Sequence, residues 1–566
     1  MLRHAPTLSR LAALSALIAF AFAPAAHASK TMESMFQDDA KLVYPPITSV
    51  SKTLDTIQAL GVDRIRISVY WRLVAPNATS TSKPSFAGGG EGDPAAYPAA
   101  NWQRYDQFVQ AAYERGIGVN FNIDGPAPDW AAQTPPAHTE KDLTGGVYAP
   151  DAGDFGQFVH AVATRYSGTY APPNPNPPPP PPPTPSPLPI SIALTPTSQP
   201  TTAAASLAEP VLPRVNYWSI WNEPNQPVFL APQWLGGVET APRIYRALLD
   251  SAFSALRATG HGSDTILYGE TAPKGGVTPL VDGTMRPLTF LRALYCVNRA
   301  YAPLRGAKAR RYGCPTRGPN AKFAAQHPAL FNATGFAHHP YSILTPPFVR
   351  SRFPDSIGLA DLRLLERTLD RLYRRYGSGR RVPVYITEFG YQTRPPDPFG
   401  YPERLAAEYI NESEFILYSD PRIRATHQFL LVDADPLTQF PKNSSSYWST
   451  FQTGLIGLDG KRKLLFGAYR FPVYVVGSQR RAPGSFRVWG DVRAGRFGVA
   501  QTAAVQFRPK GHTTKFTTLK VVRTTNPHGY LDTHVFLRRS GAVRLSWRDP
   551  ADGRLSFSRA ARVRIG

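Results

Sequence analysis

The sequence predicts an α/β protein: a (β/α)8 barrel of the TIM type with a C-terminal β-sandwich. Three observations carry that expectation. From residue 33 to about 475, short β-branched or apolar runs alternate with helical stretches, the signature of parallel βαβ units. Eight such strand–helix pairs can be traced, the number that closes a barrel. Past residue 484 the helices stop, and short strands separated by Gly, Asn and Asp turns remain, the pattern of a sandwich of about 80 residues.

Residues 1–28 read as a secretory signal peptide. Arg3, His4 and Arg10 precede an apolar run over 11–22, and Ala26-His27-Ala28 is a small-residue cleavage site before Ser29. The barrel is assigned to 29–477, beginning with a strand over 33–37. A helix over 50–60 follows, with Leu54, Ile57 and Leu60 at helical spacing and Gly61 as its stop. The second strand, 64–69, ends in Tyr70-Trp71 and leads into a loop over 76–98 rich in Gly, Ser and Pro. A helix over 102–115 precedes the third strand, 118–123, which ends in Asp124-Gly125-Pro126 with Trp130 nearby; a helix over 155–166 completes that unit.

The segment from about 170 to 213 breaks the pattern with a proline run and a Ser/Thr/Ala tail. Proline cannot donate to a ladder and favours polyproline II, so this is a linker-like insertion. The alternation resumes at Val215, which places the insertion in a helix-to-strand connection, on the barrel face away from any active site.

The remaining units pair strand 217–220 with helix 241–258, strand 265–269 with helix 288–300, and strand 335–337 with helix 359–376. The last of these helices carries Leu362, Leu365, Leu369, Leu372 and Tyr373 on one face and arginines opposite. Strand 384–386 with helix 404–418 follows, then strand 426–431, and a helix over 466–475 closes the count. The sandwich, 484–566, is expected to hold seven short strands over 486–490, 498–501, 504–507, 519–522, 535–537, 542–547 and 562–565.

The two cysteines, Cys296 and Cys314, close one local disulfide loop in an exported protein. They have no clustered ligands beside them, so no metal is expected, and no cofactor motif is present. With 63 Lys and Arg against 40 Asp and Glu the net charge is +23; an arginine-rich genome and a soluble surface account for it, and attraction to anionic polymers, cell-wall glycans or nucleic acid is the alternative reading. No lysine-arginine block interleaved with aromatics points to nucleic acid. No run after the signal is long and apolar enough to span a membrane.

Two strand ends carry the chemistry. Trp221-Asn222-Glu223-Pro224 follows the fourth strand, and Ile386-Thr387-Glu388-Phe389-Gly390 ends the seventh. In a barrel, both lie at the C-terminal mouth. Glycoside hydrolysis needs such a pair, one carboxyl protonated to assist the leaving oxygen and one ionised to attack the anomeric carbon. These motifs, on those strands, resemble the retaining glycoside hydrolases of clan A, families 5 and 39 in particular.

The resemblance implies a secreted glycosidase acting on a poly- or oligosaccharide through a glycosyl-enzyme intermediate. Glu223 would be the general acid/base and Glu388 the nucleophile. Asn222 would hold the sugar 2-hydroxyl, Arg66 would keep Glu388 ionised, and Tyr341, after His339, would orient it. Trp71 and Trp130 are candidate platforms for sugar rings, with Trp221 a third. The sequence departs from the family in lacking a Trp at the end of strand eight, where 428–433 has none; Trp448 is the nearest substitute. Glu270 also ends a strand but has no Asn before it, and reads as structural or substrate-binding. The alternative to an enzyme is a non-catalytic glycan-binding or wall-associated protein built on the same barrel.

Overall fold

A computed structural model describes residues 29–136, 143, 145–173, 211–317, 320–342, 345–511 and 515–566. The segment read as a signal peptide and the proline run of the insertion (174–210) lie outside the described residues.

Eight parallel strands close a barrel in sequence order: β1 (Glu33–Gln37), β2 (Arg64–Tyr70), β3 (Gly118–Asp124), β4 (Tyr217–Ile220), β5 (Thr265–Thr271), β6 (Gly335–His338), β7 (Val384–Ile386) and β8 (Ile423–Phe429). The crossovers carry α1 (Ile47–Ala59), α2 (Ala99–Glu114), α3 (Ala152–Arg165), α4 (Ala241–Ala258), α5 (Pro287–Leu294), α6 (Leu362–Arg375) and α7 (Glu403–Tyr418); α8 (Leu464–Arg470) follows β8. Helix α6 shows how the pattern works. Leu365, Leu369, Leu372 and Tyr373 are buried against the barrel, while its arginines face outward. The outward side chains of the strands and the inner faces of the helices form one continuous core. Inside the barrel, Met35, Leu267, Ala337, Tyr385 and Ala425 fill the lower layer.

The insertion departs from the α3–β4 connection and returns to it. The Leu212 amide donates to the Tyr170 carbonyl at 3.0 Å, and the Val215 amide donates to Tyr166 at 3.0 Å. Both flanks therefore lie side by side at the end of α3, and β4 pairs with β3 beyond them.

Three of the departures from the expected element limits have a visible cause. Helix α5 stops at Leu294, not at 300, because Cys296 turns to a φ of +55° to enter the loop closed by its disulfide with Cys314. Strand β8 ends at Phe429, because Leu430 takes a φ of +73° and its amide swings over to the Gln37 carbonyl. The expected final helix over 466–475 breaks at Arg470, and Val473–Val476 is a strand outside the barrel.

That strand, β9, belongs to the sandwich. With β11 (Gly484–Asp491) and β14 (Tyr530–Leu537) it forms one antiparallel sheet. The other has the order β10 (Gln479–Arg480), β17 (Ala561–Ile565), β15 (Gly541–Arg548), β12 (Gln501–Pro509), β13 (Thr517–Thr524), with β16 (Leu555–Phe557) on β15. The two strands expected over 498–501 and 504–507 are a turn, with Gly498 at φ +74°, and a single long strand. Val473, Val475, Val488, Val505, Leu545 and Val563 pack between the sheets.

Sandwich and barrel meet across a buried ion cluster. Arg493 pairs with Glu414 of α7 and with Asp491 at 3.1 Å, and donates to the Tyr469 carbonyl of α8 at 2.7 Å. Gly61, at φ +78°, lies so close that a Cβ there would sit 2.1 Å from the Arg493 carbonyl oxygen. Among the described residues no helix is long and apolar enough to cross a membrane.

Candidate active site

The C-terminal ends of β2, β4, β5, β6 and β7 bring one group of charged side chains together. Strand β4 ends at Ile220, and the next three residues turn sharply, with Trp221 at φ +64° and Glu223 at φ +35°. The indole of Trp221 lies on Gly125, where a Cβ would stand 2.6 Å from the ring. Only a glycine admits that approach, and the contact fixes where Asn222 and Glu223 emerge. Glu270, on β5, also has a left-handed φ of +42°. Such conformations cost of order 1–3 kcal/mol each in a non-glycine residue and persist only where surrounding contacts enforce them. Here the Glu223 amide donates to the Glu270 carbonyl at 2.9 Å, so the two strained turns hold each other.

A carboxylate oxygen of Glu223, a ring nitrogen of His339 and a carboxylate oxygen of Glu388 lie within 4.8 Å of one another. His339 donates from Nδ1 to Glu223 at 2.9 Å and from Nε2 to Glu270 at 2.8 Å. Burial alone would lower its pKa, but the charges of Glu388, Glu223 and Glu270 outweigh that and raise it to about 10. The ring is an imidazolium with both N–H groups committed, a donor rather than a metal ligand.

Arg66, fully buried on β2, is the second cation. Its Nη1 donates to Glu388 at 2.9 Å and to Gln37 at 2.5 Å; its Nη2 donates to Asn222 at 2.9 Å and to Glu270 at 3.2 Å. Burial would raise Glu270, yet Arg66 and the His339 N–H hold it down at about 2; Thr387 Oγ1 donates to the same oxygen at 2.6 Å. Glu388 is pushed up by burial and by its acidic neighbours Glu223 and Glu270, against the pull of His339 and Arg66. The Tyr341 hydroxyl donates to its second oxygen at 3.1 Å. Three carboxylates thus share two cations.

Asn222 is aimed by its neighbours. Its Oδ1 accepts from Arg66, and its backbone amide donates to Asp124 at 3.0 Å. This leaves the Nδ2 group, which has no protein acceptor among the described residues, to meet a ligand. Burial pushes Asp124 up to about 7, despite Arg66 and the amides of Asn222 and Gly125. His338 is a packing residue, bonded to Thr271 at 2.8 Å and the Ile357 carbonyl at 3.0 Å, and burial lowers it to about 3.

Glu223 and Tyr341 line an open cleft of about 490 Å³, together with Lys274, Arg286, Phe353 and Phe451. Phe451 stands 5.6 Å from Tyr341 and 5.0 Å from Phe429, an aromatic floor that no strand-end motif announced. Trp448 does not supply that floor; it is buried in its own loop, with its indole N–H on the Lys442 carbonyl.

The structure brings Glu223, Glu388, Asn222, Arg66, His339 and Tyr341 together as the sequence suggested, but it alters two of their placements. Arg66 and His339 have no solvent exposure and lie beneath the carboxylates, so they hold the acids and cannot touch a ligand. Trp71 and Trp130 are not platforms. Trp71 is fully enclosed, stacked on Phe158 at 5.8 Å and edge-on to Trp130 at 6.0 Å. Trp130 packs on Phe86 with its N–H on the Pro76 carbonyl. Trp221 is buried as well. Glu270 is structural, the shared acceptor of Arg66, His339 and Thr387. It and Asp124 were visible only as acids at strand ends; nothing in their local sequence marks what they hold.

No protein-family model matches the chain, and no curated protein does. Solved structures similar in overall layout include a monomeric β-xylosidase from Caulobacter crescentus CB15, 14% identical over 90% of this chain and 94% of that one, with a TM-score of 0.41. An endo-β-1,4-mannanase from Thermotoga petrophila is 10% identical over 95% and 98%, with a TM-score of 0.38. A family 1 β-glucosidase from Thermotoga maritima is 15% identical over 73% and 82%, with a TM-score of 0.40. At these values the likeness bears on neither activity nor substrate.

Proposed function

We propose that the chain is a secreted retaining glycosidase that hydrolyses O-glycosidic bonds of a poly- or oligosaccharide. The observation that carries this reading is the pair of strand-end carboxylates, Glu223 and Glu388, with oxygens within 4.8 Å of each other at the barrel mouth. Retaining glycosidases place their two carboxyls about 5–5.5 Å apart, whereas inverting enzymes leave roughly 6.5–9.5 Å for a water.

The roles follow from the surroundings. Glu388 is held from both oxygens, by Arg66 and by Tyr341, in a fixed orientation suited to attack on the anomeric carbon. Glu223 lines the cleft, and its carboxylate takes a single donor among the described residues, His339, so it is the group placed to protonate the departing oxygen. Glu223 then switches from acid to base: it takes a proton from water as that water attacks the anomeric carbon and the bond from the sugar to Glu388 breaks, releasing the carboxylate. Asn222 donates to the sugar 2-hydroxyl, a contact that strengthens as positive charge develops on the ring.

Secretion is supported by the sequence of residues 1–28, in which basic residues precede an apolar run and Ala26-His27-Ala28 precedes Ser29. Sequencing the N-terminus of protein from the culture medium tests this; an intact Met1 there would refute cleavage.

The test of mechanism is Glu388→Ala on a panel of activated aryl glycosides. Loss of turnover with azide rescue, giving a glycosyl azide of inverted configuration, is expected. Full activity in that variant would refute the mechanism, and a wild-type protein that binds glycans without cleaving any would favour the non-catalytic alternative.

A further inference from the structure

The positive charge of the molecule is not evenly spread. Residues 472–566 hold 18 Lys and Arg, four Asp and no Glu, so the sandwich carries +14 of the net +23. Among these cations only Arg487, Arg493 and Arg559 have a carboxylate within 4.0 Å among the described residues. A surface charged for solubility alone would intersperse both signs.

Much of the excess lies on one plane. In the larger sheet Val505, Phe507, Val543, Leu545, Ala561 and Val563 point into the core. The alternate residues therefore point outward, and they include Arg508, Arg544, Arg562 and Arg564. Register places Arg508 of β12 opposite Ala542 of β15, and Ala542 opposite Arg562 of β17, so two arginines share one row with only a methyl group between them. Like charges facing across strands destabilise a sheet, and burial together with Arg508 lowers the pKa of Arg544. The Arg544 guanidinium lies 4.0 Å over Phe516 and 3.9 Å over Phe557, which keeps it extended on the surface.

Arg508, Lys510, Arg562 and Arg564 surround a concavity of about 640 Å³ floored by the small residues Ser540, Gly541 and Ala542. Arg562 and Arg564 also line a second groove, of about 510 Å³, that runs along α7 to Phe348. Phe348 belongs to the loop after β6, and Phe353 of the same loop lines the Glu223 cleft, whose other charged side chains are Lys274 and Arg286. That second groove, which holds Arg404 and Arg559 but also Glu408 and Glu412, joins the arginine-faced sheet to the loop that borders the cleft.

We propose that this sheet face is a binding surface for a polysaccharide bearing carboxylates, held by Arg508, Lys510, Arg562 and Arg564. Planar guanidinium forks match carboxylates bidentately. The link through this groove and the loop after β6 to the cleft read above as a sugar site favours a glycan over other polyanions, a choice that rests on that reading. Arg508 and Arg544 lie over Phe516, and Arg544 over Phe557; Phe557 remains 44% exposed, so single-stranded DNA, which stacks on such rings, is the competing ligand in the test. The proposal stands independently of hydrolysis in the cleft.

The experiment is affinity electrophoresis of the full-length protein against polygalacturonate, neutral hydroxyethyl cellulose and single-stranded DNA, with flotation on phosphatidylglycerol vesicles. Binding to polygalacturonate that weakens with salt, and that exceeds binding to the other three probes, is expected. Combining R508S, R562S and R564S should weaken it at least tenfold with an unchanged melting temperature. The charge-matched combination R481S, K520S and R496S should not. Equal loss in both variants would mean diffuse charge and overturn the site; tighter binding to DNA or vesicles would overturn the occupant. Should the arginine variant melt early, hydrogen exchange of the wild-type protein decides: polygalacturonate must protect β12, β15 and β17, and absence of protection there overturns the proposal.

Discussion

The barrel interior and the outer face of the sandwich handle charge in opposite ways. At the barrel mouth, Arg66 and His339 are fully buried, and each contacts two carboxylates through hydrogen bonds of 2.8–3.2 Å. On the sandwich, Arg562 and Arg564 are exposed and have no acidic partner among the described residues. The difference reflects solvent. A buried charge without a partner carries a desolvation penalty of several kcal/mol, whereas water screens an exposed one at little cost. Paired charges inside therefore speak of positioning, and unpaired charges outside are free to meet something else.

Breaking the interior arrangement is expected to have the largest effect. Arg66→Met leaves His339 as the one cation beside Glu270 and Glu388 among the described residues, and should destabilise the fold by roughly 3–5 kcal/mol in urea unfolding; a loss below about 1 kcal/mol would mean that the cluster does not depend on this cation. Next comes the seam between the two domains, where Glu414→Gln weakens a pair with Arg493 that Asp491 still supports. A cost of about 2 kcal/mol is expected there, with barrel and sandwich still melting together.

The pH dependence sharpens the comparison further. His339 is raised to about 10 in the folded protein, against an ordinary value near 6.5. Its contribution to stability is complete below about pH 6.5 and is lost as pH rises through about 10. The melting temperature should therefore fall between pH 7 and 10, and His339→Gln should flatten that slope. Glu270, held at about 2, works in the opposite direction: its contribution is present above the ordinary carboxylate value and is lost on acidification. The smallest effect is expected outside. Arg562→Ser with Arg564→Ser should shift stability by no more than about 0.5 kcal/mol, and an increase would fit the relief of like-charge repulsion.

The alternation of strands and helices was legible because each barrel strand is buried on both faces and each helix on one, so burial writes a local period into the chain. Glu223 and Glu388 were legible because a strand end, a turn and an acid lie within five residues. What stayed hidden was non-local. Glu270 acquires its meaning from Arg66 on β2 and His339 beyond β6, contacts fixed by barrel closure rather than by sequence neighbours. Trp71 and Trp130 were misread because an indole near a loop gives no sign of what will cover it: Phe155 and Phe158 of α3 cover Trp71, and Phe86 packs on Trp130. The final strand–helix unit was misjudged at Val473–Val476, whose alternating burial serves the sandwich and which follows α8 after only two residues.

The left-handed turns at Glu223 and Glu270 have a consequence for how this protein can change. The glutamate at position 223 offsets the strain of its φ of +35° through its bond to His339, whereas a glycine would adopt that backbone freely. The position that chemistry requires to be acidic is thus one where thermostability selection would replace the side chain. Selection for heat resistance alone should erode the site from Glu223 outward, and selection for turnover should keep the barrel mouth less stable than the rest of the chain allows.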